Sequence, residues 1–248
     1  MNKHLMSNLR IITVFLIAFK ISVYAQDEPS DFQTRIDYRT VYTINDIWAY
    51  DGTYGLSGFG SNDNSRRVFV NPAFVYNALK NTDMHFGLRF DYTSERDVTN
   101  TFGIRPWQGV RFVWPKIEFI VFSHYIRLEE RFTWGTEDGS FDFLLRARYQ
   151  IKAKTHDLKW ALLNQTYYLL TSFEIFADIE EDIEKSLMDQ GRFTFGIGFF
   201  ITQDWRAEVH YLLQGTIYWA EKSFDVEVNT LRLKFIYFLN LMYQASDL

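Results

Sequence analysis

The chain has 248 residues, a net charge of −5 and no cysteine, with 19% aromatic and 23% charged residues. The acidic balance speaks against a nucleic-acid partner. The lack of cysteine excludes a lipidated-cysteine anchor, a disulfide framework and thiolate metal sites.

The first 25 residues read as a signal peptide: Lys3 and Arg10 precede an apolar run from Ile11 to Phe19, and Val23-Tyr24-Ala25 offers a cleavage point before Gln26. That run is too short for a spanning helix, and no other stretch approaches about 18 uninterrupted apolar residues. The organisation expected is therefore 1–25 signal peptide and 26–248 mature domain.

From Gln33 onward the chain alternates. The strands expected are Gln33–Thr43, Ile47–Phe59, Arg66–Ala78, Met84–Ser94, Arg105–Trp114, Glu118–Trp134, Phe141–Ala153, Leu158–Phe176, Gly191–Ile201, Trp205–Tyr218 and Val226–Leu239. Glu118–Trp134 is the clearest. Ile120, Phe122, Ile126, Leu128 and Phe132 fall on one face, and Ser123, Tyr125, Arg127, Glu129 and Arg131 on the other. It is far longer than an ordinary soluble strand of roughly 5–6 residues. The connections alternate between short ones, such as Ile44-Asn45-Asp46 and Lys154 to Asp157, and longer ones, such as Glu95–Ile104 and Ala177–Gln190. This is the pattern of an outer-membrane barrel with short inner turns and long outer loops. Trp48, Trp114, Trp160 and Trp205 lie beside short turns, and Trp107, Trp134 and Trp219 beside long loops, as two aromatic girdles require. The fold class expected is all-β, an antiparallel up-and-down transmembrane barrel. Eleven segments are readable and single-chain bacterial barrels favour even numbers, so about 12 strands are expected, with 10 as second choice.

The inward face then collects Arg35, Asp37, Arg39, His85, Arg89, Asp91, Arg111, Arg127, Glu129, Arg131, Asp142, Arg146, Arg148, Lys152, Glu174, Arg192, Arg206, Glu208, His210, Arg232 and Lys234. Charges removed from water must be paired, so cross-strand ladders are expected. The ladder set is Arg111, Arg127, Glu129, Arg131, Arg146, Arg148, Glu174, Arg192, Glu208 and Arg232. Glu129, about 7 Å along the strand from both Arg127 and Arg131, is its natural hub. The basic excess fits either a filled structural interior or an anion-preferring lumen.

The run His124-Tyr125-Ile126-Arg127-Leu128-Glu129-Glu130-Arg131-Phe132 resembles the His-Arg-x-Arg-Leu-Glu-Gln-Arg-Phe signature of an outer-membrane barrel family, domain of unknown function 2490. Phe173-Glu174-Ile175-Phe176, Asp189-Gln190-Gly191-Arg192 followed by Gly196-Ile197-Gly198-Phe199, and Asn229-Thr230-Leu231-Arg232-Leu233 are similar to further pieces of it, in order. Tyr125 stands where the family has an arginine. The resemblance implies an outer-membrane barrel and carries no activity with it.

Catalysis is not expected. Gly-x-Ser-x-Gly, His-Glu-x-x-His and phosphate-loop motifs are absent. Ser123 and His124 are strand neighbours that point to opposite faces, and His85 and His210 read as members of a polar lumen network. The acidic stretch with Asp178, Glu180, Glu181 and Asp182 has the composition of a weak divalent-cation site, although a solvated loop is the simpler reading. No cofactor is expected. The sequence thus leads to a monomer in the bacterial outer membrane, in contact with lipid and lipopolysaccharide and inserted by the barrel-assembly machinery. Its role would be structural or that of a small-solute pore. The alternatives are a barrel enzyme acting on lipid or peptide, and a soluble periplasmic β-protein.

Overall fold

The structure is a computed structural model that describes residues 31–60, 65–96, 98–160, 165–179, 190–218 and 223–239. The expected signal peptide lies outside these residues. Thirteen strands follow one another without a helix among the described residues: β1 Asp31–Thr43, β2 Trp48–Phe59, β3 Arg66–Asn71, β4 Ala73–Leu79, β5 Thr82–Ser94, β6 Thr101–Val113, β7 Ile120–Gly135, β8 Phe141–Thr155, β9 Leu158–Trp160, β10 Gln165–Ile179, β11 Gln190–Phe200, β12 Trp205–Tyr218 and β13 Ser223–Phe238.

Neighbours in sequence pair antiparallel around a closed ring. β3 and β4 are two halves of one stave, both paired with β2 and β5, interrupted at Pro72, which has no N–H to give the ladder. β9 is an extra short strand beyond β8, and both pair with β10. The ring proper therefore has eleven staves, or about twelve strands with β9. An odd ring cannot close antiparallel. It closes instead through a parallel pair, β1 with β13, in register from Asp31↔Val228 to Val41↔Phe238. The first and last described strands consequently run in the same direction, and Asp31 and Phe238 lie at opposite rims.

Three expectations are corrected. The segment Leu158–Phe176 is not one strand: it holds β9 and the start of β10, which pair antiparallel with each other, and His156 and Asp157 separate β9 from β8. Glu118 does not begin a strand, because it sits at φ 51° in a tight turn bridged by Ile117 and Ile120, so β7 starts two residues later. β6 and β13 start earlier than expected, at Thr101 and Ser223, which shortens two of the connections read as long.

One rim, the turn rim, carries the connections 44–47, 80–81, 114–119 and 201–204. The opposite loop rim carries the connection 136–140, the end of β2, the end of β5 and the start of β1. The two faces of the wall differ sharply in chemistry. Outward side chains are apolar and exposed around the ring, among them Ile36, Leu56, Val68, Phe86, Val110, Ile126, Phe143 and Phe235. Inward side chains are mostly buried, and many are charged or aromatic. A small apolar cluster of Val41, Ala49, Val75, Ile236 and Phe238 packs inside near the turn rim. Trp48 packs on Tyr76, and Trp205 on Tyr237, at that rim, while Trp134 lies among Phe102, Phe132 and Phe141 at the other.

Candidate functional site

The charged interior is built from alternation, since each strand turns every second residue inward. On β7 that places Arg127, Glu129 and Arg131 in one column. Glu129 is 1% exposed, and its two carboxylate oxygens meet three guanidiniums: Arg127 Nε at 2.9 Å, Arg131 Nε at 3.3 Å and Arg148 Nη1 at 2.5 Å. Arg148 extends the column sideways across β8. It donates from Nε and Nη2 to Glu174 Oε1 at 3.1 and 2.8 Å. Glu174 Oε2 accepts from Arg192 Nη1 at 3.2 Å, and Arg192 donates on to Gln214 Oε1. An ionic belt thus crosses five adjacent strands, β7, β8, β10, β11 and β12.

The structure brings together Arg127, Glu129, Arg131, Arg148, Glu174 and Arg192 in that belt. The other sequence-derived ladder members fall elsewhere. Arg146 faces Asp178 directly across the β8–β10 pair and holds its carboxylate with Nε and Nη2. Arg111 donates from Nε to Asp83 at 2.6 Å. Glu208 and Arg232 belong to a separate group near the turn rim. There Tyr168 donates its hydroxyl to Glu208 Oε1 at 2.5 Å, His210 Nε2 lies 3.0 Å from Glu208 Oε2, and Lys234 Nζ lies 3.4 Å from that oxygen. Arg232 meets the other ring nitrogen of His210 rather than a carboxylate.

Several partners escaped the sequence reading. Asp51 takes Arg39 through a two-pronged pair at 2.7 and 2.8 Å, Asp83 takes Arg111, and Arg105 Nη2 donates to Asp91 at 2.9 Å. Their inward parity was available from the alternation. Asp83 falls between two expected strands, in a segment read as a turn, and Arg105 is the first residue of the expected strand Arg105–Trp114, whereas β6 begins at Thr101.

Inward aromatics are a second feature that alternation of charge does not announce. Phe69, Trp107 and Tyr168 each lie directly opposite a glycine on the neighbouring strand, Gly55, Gly87 and Gly198. A Cβ at those glycines would come within 2.5, 2.2 and 2.2 Å of the facing ring. The rings therefore lie in the space a side chain would fill, as expected for glycine at a close approach within a sheet. Cations then cover them: Arg89 over Phe69 at 4.0 Å, Arg127 over Trp107 at 3.8 Å and Lys154 over Tyr168 at 4.2 Å. Trp107 was expected in an aromatic girdle. It is instead buried in the lumen, with Nε1 donating to Asn71 at 2.7 Å. Trp160 ends β9, and Trp219 lies outside the described residues.

Ser123 and His124 point to opposite faces. Ser123 lines the interior, and His124 shares a 2.6 Å hydrogen bond with Tyr149 on the outside. Among the described residues neither His85 nor His210 hydrogen-bonds a hydroxyl group. Asp178 is occupied by Arg146, while Glu180, Glu181 and Asp182 lie outside the described residues. No cluster of three metal-ligating side chains occurs among the described residues. At the loop rim Asp138 is a turn residue: the backbone N–H and the hydroxyl of Ser140 both donate to its Oδ1, which holds its carboxyl below the usual range.

A family model described as Protein of unknown function (DUF2490) matches residues 31–224. No curated protein matches the chain.

Proposed function

The chain belongs to that family of proteins of unknown function, and from this premise we propose that it is a monomeric barrel of the bacterial outer membrane with a filled, ion-paired lumen and a structural role. The observation that carries the reading is the inverted polarity of the wall. Exposed Ile, Leu, Val and Phe side chains ring the outside, whereas Glu129, Asp37, Glu174 and Glu208 are buried inside with cationic partners. In water this arrangement leaves a large apolar surface without cover. In a bilayer it is the expected one, and strands of this length suffice to cross, since about 9–11 tilted residues span the hydrocarbon.

A second reading, an anion-preferring path for small solutes, is favoured by one observation: cations outnumber carboxylates around the cavity at the turn-rim end. Cell fractionation of the tagged protein, with a heat-modifiable gel shift, tests location. Single-channel recording of the refolded barrel in a planar bilayer, with reversal potentials, tests the path. Recovery in the soluble periplasmic fraction overturns the membrane reading. Reproducible anion-selective openings replace the filled-lumen reading by the second. The competing class, a barrel enzyme acting on lipid or peptide, requires a nucleophile that His210 can activate. Phospholipid and peptide hydrolysis assays on the refolded protein test it.

A further inference from the structure

The turn-rim end of the lumen holds a cavity of about 80 Å³. Six cations line it, from five strands: Arg39, Arg111, Lys152, Lys154, Arg206 and Lys234. Glu208 is the one carboxylate among its lining residues, and it already accepts from Tyr168 and contacts His210 and Lys234. Arg39 and Arg111 are steadied from the side by Asp51 and Asp83.

Arg206 differs from every arginine of the belt. It is 3% exposed, its Nε is buried without a hydrogen-bond partner, and no carboxylate pairs with it among the described residues. Its guanidinium is covered by the rings of Phe200 and Phe238, at 4.6 and 4.5 Å. A buried cation with only aromatic cover is costly unless an anion compensates it. Aromatic stacking leaves the edge of the guanidinium, where its five donors lie, to face the cavity. That fork matches two oxygens of a tetrahedral oxyanion, and the surrounding ammonium groups add charge without demanding a direction.

We propose that this cavity binds one phosphate group, with Arg206 as the bidentate donor and Lys152, Lys154 and Lys234 as the supporting charges. A phosphate is favoured over chloride because two of its oxygens can each take one of the parallel donors of a guanidinium, whereas a monatomic ion must share them. The proposal goes beyond the function proposed above and holds whether or not the lumen conducts.

The test is calorimetric titration of inorganic phosphate into the refolded full-length barrel, in zwitterionic detergent with a chloride background. The folded state is verified by heat modifiability. One phosphate per barrel is expected, weakened about 10- to 100-fold in Arg206→Gln, the loss of charge-assisted hydrogen bonds. Lys152→Gln weakens it less, and Arg67→Gln, outside the cavity, leaves it unchanged. No uptake by the wild type overturns the proposal, and so does equal binding by Arg206→Gln and Lys152→Gln. If Arg206→Gln fails to fold, Lys152→Gln and Lys154→Gln decide the matter by the same criterion. Methyl phosphate in place of phosphate distinguishes an esterified headgroup from the free ion by which binds more tightly. Bilayer recordings on the same sample keep the questions apart. A silent barrel that binds phosphate retains the site and a filled lumen. A conducting barrel indifferent to phosphate loses the site and keeps the path.

Discussion

Nη1 of Arg148 lies 2.5 Å from Oε1 of Glu129, although the two residues are not directly opposite in the sheet: Arg148 faces Arg127, and Glu129 faces Arg146. The diagonal contact frees Arg146 for Asp178 and lets Arg148 also reach Glu174. One register step therefore decides how the belt is wired.

Glu129→Ala should be strongly destabilising, because it leaves three guanidiniums facing an interior without their shared carboxylate. Removing one partner of a buried pair costs about 3–5 kcal/mol. Urea unfolding of the refolded barrel, followed by tryptophan fluorescence, measures it. Pairing the change with Arg148→Met should recover part of the loss, since fewer cations are then stranded. An unchanged unfolding midpoint in the single variant would remove Glu129 from its place as the hub.

Gly87→Ala should displace the Trp107 ring, whose nearest atom would sit 2.2 Å from the new Cβ. Overpacking of this kind costs typically about 1–3 kcal/mol. Stacking by Arg127 and the Asn71 hydrogen bond would go with it. The same unfolding experiment applies, and Gly87→Ala combined with Trp107→Leu should be milder than Gly87→Ala alone. Equal loss in both would place the strain elsewhere.

Trp107 should also be distinguishable by its surroundings. In vesicles containing brominated lipid, Trp114, exposed on the outside at the turn rim, should be quenched efficiently. The lumen-facing Trp107 should not. Trp107→Phe is then expected to raise the quenched fraction of the remaining fluorescence. A fall in that fraction would mean that Trp107 faces lipid.

The parallel closure has a topological consequence. With an odd number of staves Asp31 and Phe238 lie at opposite rims, and the strand directions put Asp31 at the loop rim with Asp138 and Lys116 at the other rim. The chain has no native cysteine, so Asp31→Cys, Asp138→Cys and Lys116→Cys each create a single labelling site. In intact cells an impermeant maleimide should react alike with the first two and oppositely with the third. Agreement of Asp31→Cys with Lys116→Cys would indicate an even number of crossings between them, against the five staves from β1 to β6.

Much of the wall was legible residue by residue. The i±2 spacing of Arg127, Glu129 and Arg131 on one strand already made Glu129 a hub, because that relation is local and follows from the pleat alone. The inward parity of Arg148, Glu174 and Arg192 was legible for the same reason. Their wiring was not, because it depends on how β7, β8, β10 and β11 slide past one another. Trp107 illustrates the converse: it was placed in a girdle because it stood near an expected loop. Once Thr101 began the strand and Gly87 stood opposite, it faced inward with room to lie flat.

The sequence by itself determined the all-β class, the two-faced wall, the charged interior and the family, since each is written in period-two alternation or in short motifs along one strand. The tertiary structure alone decided the eleven-membered ring with its parallel seam, the diagonal Glu129–Arg148 contact, the glycine–aromatic–cation layers and the cationic cavity around Arg206. The physical reason is that these depend on register and closure between strands far apart in the chain. A shift of one residue in pairing would turn a whole inward face outward, and no single strand records which partner it will meet.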